Sequence, residues 1–457
     1  MAKKITEFAH PDYVRTLPDW IKIRDCFNGE RAIKSASTAY LPRLKGQDQA
    51  DYDNYLYRAL FFPITGKTVG SLVGLATSKK PRLEHPETMD KYFSDTESAL
   101  YQFTEFYVGT FNEVVLQGRI GVLIDAPEIG GDPYPVPYIA ENVINWRPDA
   151  AGNLVMLLLR EHVTLPGKGE FDSTQTYRYR HCFVRAGVYM QEELDEDLEV
   201  VKGPFIPTFS GNSIDYIPFT CIGSSGCHMW VDKPPMLDIS TINISHYLTS
   251  ADLEWGRHLV GLPTPVVSGV DAGTKLSIGG TTAWILPVPD AKAYYMEFMG
   301  QGLASLEKAM TEKIGLMSSL SARLVDSSAK GSEAAEAVRL RYVNEAASLI
   351  HIIGSIETGL TIVFNQLAKL LRSQGEVKVA LQRDVLGNAI TFNDMKVMFE
   401  AYLNGSISAE TLIYNLRRLD ALDPNREDSA ELAVVKASAA ARAAAEAKEA
   451  STSTTPT

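Results

Sequence analysis

The sequence predicts an α+β fold in which long helices and an antiparallel sheet alternate along 457 residues. Three observations carry this prediction. Residues 332–372 contain one helical stripe of apolar and small side chains, uninterrupted by proline. Two further amphipathic helices, 237–259 and 303–324, flank a stretch of short strands and turns. Residues 119–223 contain apolar or alternating runs between Gly, Pro, Asn and Asp breaks, which is typical of an antiparallel sheet.

The long helix is the element around which the chain is organised. Ser332 is placed to cap its start, and Gly354 and Gly359 are positions where it could bend. At ~1.5 Å per residue it would be ~60 Å long, so we expect neighbouring copies of the chain to cover part of it. A long core helix of a helical enzyme explains the periodicity equally well. The stripe consists of Ala335, Val338, Tyr342, Ala346, Leu349, Ile353, Ile356, Leu360, Val363, Leu367 and Leu370.

Composition limits the classes of function. A formal net charge of -12 argues against a broad basic surface that grips nucleic acid, although duplex DNA could still pass an acidic wall. The four cysteines are sparse and indicate a reducing compartment without disulfides. The N-terminal residues do not resemble a secretory signal, and no run reaches the ~18 apolar residues of a membrane span. We therefore expect assembly in the cytoplasm and no membrane contact.

The N-terminal half is predicted to change from helices to strands. Residues 11–100 have a helical pattern with polar breaks at 46–51 and 79–85, and residues 55–81 form two helical stretches hinged near Pro63. A helix at 101–117 leads into a strand at 119–126. The acidic run 192–199 is expected to form the exposed tip of a β-hairpin.

Three local patterns suggest chemistry but lack the required spacing. Gly66, Lys67 and Thr68 invite a phosphate-loop interpretation, yet Phe61 occupies the position of the essential first glycine. Cys221, Cys227 and His228 match no zinc spacing, and Ser224 and Ser225 do not lie in a Gly-x-Ser-x-Gly elbow. We therefore predict no catalytic residue, no metal and no cofactor.

The C-terminal part is predicted to be a hairpin followed by helices. The hairpin spans 376–393 and turns at Gly387 and Asn388. Two short helices follow, broken at Asn404 and Gly405, with Ser408 capping the second. An alanine-rich helix would extend to about residue 450, before a Ser/Thr tail.

Two segments carry a resemblance to a known family. The segment SSAKGSEAAEAVRLRYVNEAASL (327–349) is similar to the polar loop and helix start of tailed-bacteriophage portal proteins. The segment YLNGSISAETLIYNLRR (402–418) is similar to the part that follows their last wing strands. VINW (143–146) and IPFTCIG (217–223) add weaker support. The order of elements also resembles this family, in particular its branch of short portals.

The resemblance implies a portal fold assembled as a ring, usually of twelve subunits, around a DNA channel. Its parts would be a mixed α/β wing, two stem helices, a small β clip, a long kinked wing helix and a helical crown. The implied ranges are 1–236 for the N-terminal wing, 237–260 and 301–324 for the stem helices, 261–300 for the clip, 325–331 for the tunnel loop, 332–375 for the long helix, 376–393 for the wing hairpin, 394–450 for the crown and 451–457 for the tail.

The resemblance also implies three sets of functional residues. The tunnel loop, which would face DNA, contributes Arg323, Asp326, Ser327, Ser328 and Lys330; the clip, which would bind partners, contributes Gly279, Gly280, Thr281, Trp284, Tyr294 and Tyr295; the subunit interface contributes Leu306, Met310, Ile314 and Met317. The polar side of the same helix holds Glu307, Lys308, Glu312 and Lys313. Two alternatives stay open: the loop could be an ordinary surface connector, and the clip aromatics could fill a small β core.

The function implied by the resemblance is a ring at the capsid vertex, through which double-stranded DNA is packaged and ejected. Its partners would be the large terminase, the head-completion adaptor, and capsid and scaffold proteins. The location would be the virion, after assembly in the host bacterial cytoplasm. Another ring-forming virion structural or adaptor protein is the alternative, and it would not require two helices around a β module. A helical enzyme would require a convergent polar site, which the sequence does not show.

Overall fold

The computed structural model describes residues 5–93, 102–127, 131–167, 169, 171–261, 264–269, 290–296, 300, 302–325, 335–383, 392–418 and 433. Side chains at 264–265, 321–325, 335–346, 392–395, 403, 414 and 417–418 are outside this description. The chain divides into two units, Met1–Arg383 and Asp384–Thr457, each of which is described by itself.

The first unit combines helices with antiparallel sheets, as predicted. The predicted helices 101–117, 237–259 and 303–324 are all present within two residues of the expected ends. The helices are α1 (Pro11–Asn28), α2 (Glu30–Ser35), α3 (Gln49–Arg58), α4 (Ile64–Ala76), α5 (Asp90–Phe93), α6 (Phe103–Gln117), α7 (Leu237–Gly261), α8 (Leu303–Val325) and α9 (Ala335–Leu370).

The strands form four antiparallel sheets among the described residues. Strand order is β4-β5-β6-β7-β8 in the largest sheet and β3-β2-β9 in the second, and β1-β12 and β10-β11 form two separate pairs. The strands are β1 (Arg82–Glu84), β2 (Arg119–Asp125), β3 (Tyr134–Ile139), β4 (Val143–Pro148), β5 (Leu154–Pro166), β6 (Ser173–Arg185), β7 (Val188–Leu194), β8 (Val200–Phe205), β9 (Phe219–Gly223), β10 (Thr264–Ser268), β11 (Lys292–Met296) and β12 (Lys378–Ala380).

The turn between β6 and β7 shows how local residues set the register of the largest sheet. Arg185 pairs with Val188, so only Ala186 and Gly187 form the loop. Their φ angles are 49° and 74°. Two successive positive φ angles define the type I′ turn, whose twist matches that of the flanking strands. The acidic run 192–199 then leads from β7 into β8 and forms the hairpin tip that the sequence predicted.

Helix α1 lies between α6 and α7. Arg24 donates to the Glu113 carboxylate of α6 at 2.8 Å, whereas the Cys26 thiol lies 3.8 Å from the Ser240 carbonyl oxygen of α7. Residues two apart in a helix point in nearly opposite directions. The two contacts therefore leave α1 on different sides, and α4 packs against all three of these helices.

Helix α9 confirms the second half of the predicted stripe. Its apolar positions from Leu349 to Leu370 are buried within the first unit. The Ser355 hydroxyl donates to the Gly223 carbonyl oxygen of β9 at 2.7 Å. The chain's own sheet therefore covers this half, and cover by neighbouring copies stays a prediction for the rest of the helix. The helix is continuous through Gly354 and Gly359.

Residues Ala347–Leu370 of α9 are long and apolar enough to cross a membrane by length and composition alone, and half of them are buried in the protein. The sequence prediction counted only uninterrupted apolar runs and therefore passed over this segment. A core helix of a globular protein passes the same test, and the contacts with β9 show such packing here.

The predicted C-terminal hairpin is only partly observed. Its first strand, β12, pairs with β1, which was predicted as part of a polar break. The turn at Gly387 and Asn388 lies outside the described residues. In the second unit, α10 (Phe392–Leu403) and α11 (Ala409–Arg418) confirm the two short helices. The Ser408 hydroxyl accepts from the Thr411 amide at 3.1 Å, which is the predicted N-cap.

Candidate functional site

Helices α7 and α8 pack against each other, and the β10–β11 ribbon lies between them in the sequence. Gly256 makes the close approach possible, since a Cβ there would lie 2.6 Å from Leu303 Cδ2. Next to this contact, Arg257 of α7 and Glu307 of α8 form an exposed ion pair at 2.8 Å. We call this pair of helices the α7–α8 hairpin.

Lys313 anchors α8 to α7. Its ammonium group donates to the Ser245 carbonyl oxygen at 2.9 Å and to the Thr249 hydroxyl. Burial lowers the pKa of Lys313, an effect that the Asp252 carboxylate opposes. The prediction that Lys313 lies on the polar outer side of α8 was therefore wrong, because its long side chain reaches back across the helix contact.

His246 lies in the same contact and is buried. Among the described residues, neither of its ring nitrogens has a hydrogen-bond partner. Its ring centroid is 6.3 Å from that of Phe62, in the connection between α3 and α4. Burial, with a smaller contribution from the Lys313 charge, lowers the pKa of His246 below its ordinary value. At neutral pH the hairpin thus contains an uncharged imidazole near a partly desolvated ammonium group.

The four predicted interface residues differ in exposure. Met317 is fully buried within its own subunit, so it has no surface to offer a neighbour. Leu306 and Met310 are half-buried, and Ile314 is 37% exposed. Leu316, which the sequence prediction omitted, is 55% exposed. One turn of α8 therefore carries both a core residue and candidate contact residues.

The predicted partner surface on the ribbon is described only at its second strand. Tyr294 and Tyr295 are both exposed on β11, where they pair with Val266 and Pro265 of β10. Gly279, Gly280, Thr281 and Trp284 lie outside the described residues.

The predicted tunnel loop lies almost entirely outside the described residues. Asp326, Ser327, Ser328 and Lys330 belong to the gap between α8 and α9. Arg323 is in the last turn of α8, and its side chain is not described.

Ser225, His228 and Asp232 form a cluster that spacing rules did not predict. The Ser225 hydroxyl donates to Asp232 Oδ2 at 2.7 Å, and its oxygen lies 3.0 Å from His228 Nε2. In a catalytic triad the carboxylate binds the other imidazole nitrogen, but here His228 Nδ1 faces the Trp230 carbonyl oxygen at 3.3 Å. The hydroxyl proton is directed to the carboxylate, so the cluster orders a loop and does not activate a nucleophile.

Burial disfavours the reactive form of three of the four cysteines. All four are free thiols. Burial raises the pKa of Cys26 and Cys182 to about 12 and that of Cys227 to about 11, which disfavours the reactive thiolate. Within the described part of the chain, no group of three His, Cys, Asp or Glu side chains could hold a metal ion.

Comparisons with known proteins give one family match and several weak structural likenesses. A family described as a domain of unknown function, DUF4055, matches residues 235–370, which include α7, α8 and α9. A search of curated proteins finds no match. A chain from the neck of an empty GTA particle, computed with C6 symmetry, is 12% identical over 80% of this chain and 91% of that chain, with a TM-score of 0.40.

Two further structures of the native gene transfer agent are similar at the same level. A chain of its virion is 14% identical over 86% of this chain and 99% of that chain, with a TM-score of 0.37. A chain of its neck, computed with C12 symmetry, is 14% identical over 84% of this chain and 98% of that chain, also at 0.37. Likeness this weak does not by itself establish a shared fold.

Proposed function

We propose that this chain is a portal-type subunit, which forms a ring around a channel for double-stranded DNA in a phage-like particle. The observation that carries the proposal is the order α7, β10–β11 ribbon, α8 and α9, in which two packed helices enclose a β module and precede a much longer helix. That order is the architecture implied by the sequence resemblance.

Exposed apolar residues of the α7–α8 hairpin support assembly into a ring. Leu259 and Val260 near the end of α7, and Ile314 and Leu316 on α8, all present apolar surface to solvent. A head-to-tail contact repeated around a closed ring would bury them in every subunit. Stable permanent interfaces of this kind remove ~2,000–5,000 Å² from water.

Charge is compatible with a channel that lets DNA slide. The net charge of -12 is compatible with a mostly acidic channel wall, which would repel phosphate. Arg323 and Lys330 would then form a narrow cationic band that contacts the DNA backbone without reading bases. The remaining tunnel-loop residues would supply a polar, adaptable lining.

The ribbon would be the clip that meets the large terminase during packaging and the head-completion adaptor afterwards. Its exposed Tyr294 and Tyr295 have the amphipathic character of interface anchors. Alanine at residues 278–281 should weaken capture of terminase or adaptor by an intact ring. If that variant captures terminase and adaptor as well as wild type does, the Gly279-Gly280 turn is not part of the interface. Capsid and scaffold proteins would contact other surfaces of the ring.

Negative-stain electron microscopy of the purified full-length protein tests the proposal. We expect rings with a central channel wide enough for a DNA duplex. Replacing Leu306 and Met310 with Asp should reduce assembly, since unpaired charge in an apolar contact is costly. A wild-type protein that stays monomeric at all concentrations, or forms rings without such a channel, would contradict the portal function. Rings of the double variant indistinguishable from wild type would contradict the hairpin contact.

A further inference from the structure

An apolar groove with an acidic rim lies between α6 and the β2–β3 pair. It has a volume of about 380 Å³ and is lined by Glu105, Phe106 and Gly109 of α6, Ile120 of β2, and Pro137 and Ile139 of β3. A Cβ placed on Gly109 would have no atom within 4 Å, so the groove has free space at this position. Glu105 is exposed and forms no ion pair with the described residues. The groove could therefore accept an apolar side chain accompanied by a cation.

The connection between α3 and α4 carries the complementary features. Tyr57, Leu60 and Phe62 are 81%, 57% and 41% exposed, and we call them the α3–α4 ridge. The Lys67 ammonium lies 5.1 Å from the centre of the Phe62 ring, and that of Lys34 lies 5.9 Å from the Tyr57 ring. The ridge is thus apolar with cationic groups beside its aromatic rings.

The ridge is held in place by α7. The Asn243 amide group donates to the Phe62 carbonyl oxygen at 2.8 Å, and the Leu60 amide donates to the Ser250 hydroxyl at 3.2 Å. Phe61, between them, is buried. Because the backbone is fixed, little conformational entropy would be lost when the exposed side chains bind a partner.

Groove and ridge are separate surfaces of one subunit. The groove is formed by α6, β2 and β3, whereas the ridge is fastened to α7. The ridge side chains are exposed, so they do not fill the groove of their own subunit. Two different complementary surfaces are what a head-to-tail ring contact requires.

We infer that the α3–α4 ridge of one subunit docks into the α6 groove of the next, with Lys67 placed against Glu105. This contact rests on the proposed ring and adds to it an interface that is separate from the α7–α8 hairpin. The occupant is a second copy of this chain, because the apolar and charged features of the groove are matched by a rigid surface of the same protein. Opposite charges at such a contact would also select the correct register between neighbours.

Charge reversal tests the contact in the full-length protein. We expect Lys67→Glu alone, and Glu105→Lys alone, to raise the concentration for half-assembly by about tenfold, measured by mass photometry. The double variant should assemble like wild type. A 1:1 mixture of the two single variants should also assemble, because an alternating ring pairs every reversed ridge with a reversed groove. Lys378→Glu, the same change on β12, controls for net charge, and thermal unfolding confirms that each variant is folded.

Filling the groove provides an independent test. Gly109→Trp should occupy the free space and weaken assembly, whereas Phe171→Ser, which alters a side chain that is 95% exposed on the β5–β6 loop, should leave assembly unchanged. If the wild type forms rings and the Lys67, Glu105 and Gly109 variants assemble equally well, the proposed contact is wrong and the proposed ring is unaffected. If both single charge reversals weaken assembly, and neither the double variant nor the mixture restores it, the groove binds something other than the ridge and the proposed contact is wrong. A wild-type chain that forms no ring would instead overturn the proposed function.

Discussion

Gly359 of α9 and Ile222 of β9 lie so close that a methyl group on the glycine would be 2.6 Å from the isoleucine Cγ1. No pair of carbon atoms tolerates that distance, so only glycine lets α9 lie on this strand without a shift. The sequence suggested a bend at Gly359. The structure instead shows a place where a helix and a sheet make direct contact.

Gly359→Ala is therefore expected to destabilise the protein, although alanine favours an isolated helix by up to ~1 kcal/mol. Overpacking of this kind costs ~1–3 kcal/mol, measured as a lower urea midpoint. Gly354→Ala in the same helix is the control, since its Cβ would lie 3.7 Å from the nearest atom, on Arg383. That variant should be as stable as wild type or more stable. Equal stability of the two variants would contradict the contact.

Helix periodicity was the most reliable sequence signal in this chain. The stripe from Leu349 to Leu370 and the helices of the α7–α8 hairpin each depend on the spacing of apolar residues within one short segment. The local sequence is therefore enough to predict them. Strands β1 and β12 pair although they lie almost three hundred residues apart in the chain, and no local sequence pattern predicts such a pairing. Lys313 was misplaced for a related reason: periodicity gives the direction of its Cβ, but its flexible stem reaches the α7 carbonyl.

Met317 and Ile314 should respond differently to truncation. Met317→Ala removes a fully buried side chain and should cost ~2–5 kcal/mol in the free energy of unfolding. Ile314→Ala should change monomer stability by less than ~1 kcal/mol but weaken assembly, because its side chain is 37% exposed. Urea unfolding at low concentration and sizing at high concentration separate the two effects. A monomer destabilised equally by both changes would contradict this division.

The functional residues were less accessible to sequence reasoning than the fold. The candidate clip and channel residues came from resemblance to a family. Of these residues, the structure describes the side chains of Tyr294 and Tyr295 alone, and both are exposed. The contact of Ser225 with Asp232 arises from a loop closing on itself, which no spacing rule covers. The groove on α6 depends on three separate segments that the fold brings together.

Arg24 should be essential for the stability of the first unit. Its guanidinium group donates to Glu113 at 2.8 Å and to Glu141 at 2.9 Å, and all three groups are largely buried. Arg24→Met would leave two buried carboxylates without a cation and should cost ~3–5 kcal/mol by urea unfolding. Arg257→Met breaks the exposed pair with Glu307 and should cost less than ~1 kcal/mol.

Neutralising the carboxylates as well provides the decisive comparison. The triple variant Arg24→Met/Glu113→Gln/Glu141→Gln should recover most of the lost stability, because no unpaired charge remains buried. If the triple variant is as unstable as Arg24→Met, packing of the arginine stem and not its charge is the main contribution.

His246 should make the stability of the α7–α8 hairpin depend on pH. Its pKa is lowered in the folded state from the ordinary value of 6.5, chiefly by burial, so the unfolded state binds the proton more readily. Its contribution is therefore complete above pH 6.5 and is lost as the pH falls below that value, at no more than about 1.4 kcal/mol per pH unit for one proton. Urea unfolding between neutral and mildly acidic pH should show a smaller loss in His246→Phe than in wild type. His162→Gln, at an exposed histidine, should retain the wild-type slope.

Arg323 and Lys330 provide the most direct test of the channel. Arg323 is in the last turn of α8, and Lys330 follows in the segment between α8 and α9. Repeated around a ring, they would form a cationic band in an acidic tube. Changing both to Ala should leave ring assembly and terminase binding normal, because neither residue belongs to the proposed subunit contacts. Genome packaging or retention should change, since each lysine or arginine that meets phosphate contributes to holding the duplex. Lys308→Ala, at an exposed position of α8 in the same ring, controls for the loss of positive charge. A double variant that fills heads and keeps its genome at the wild-type rate would remove these two residues from the channel function.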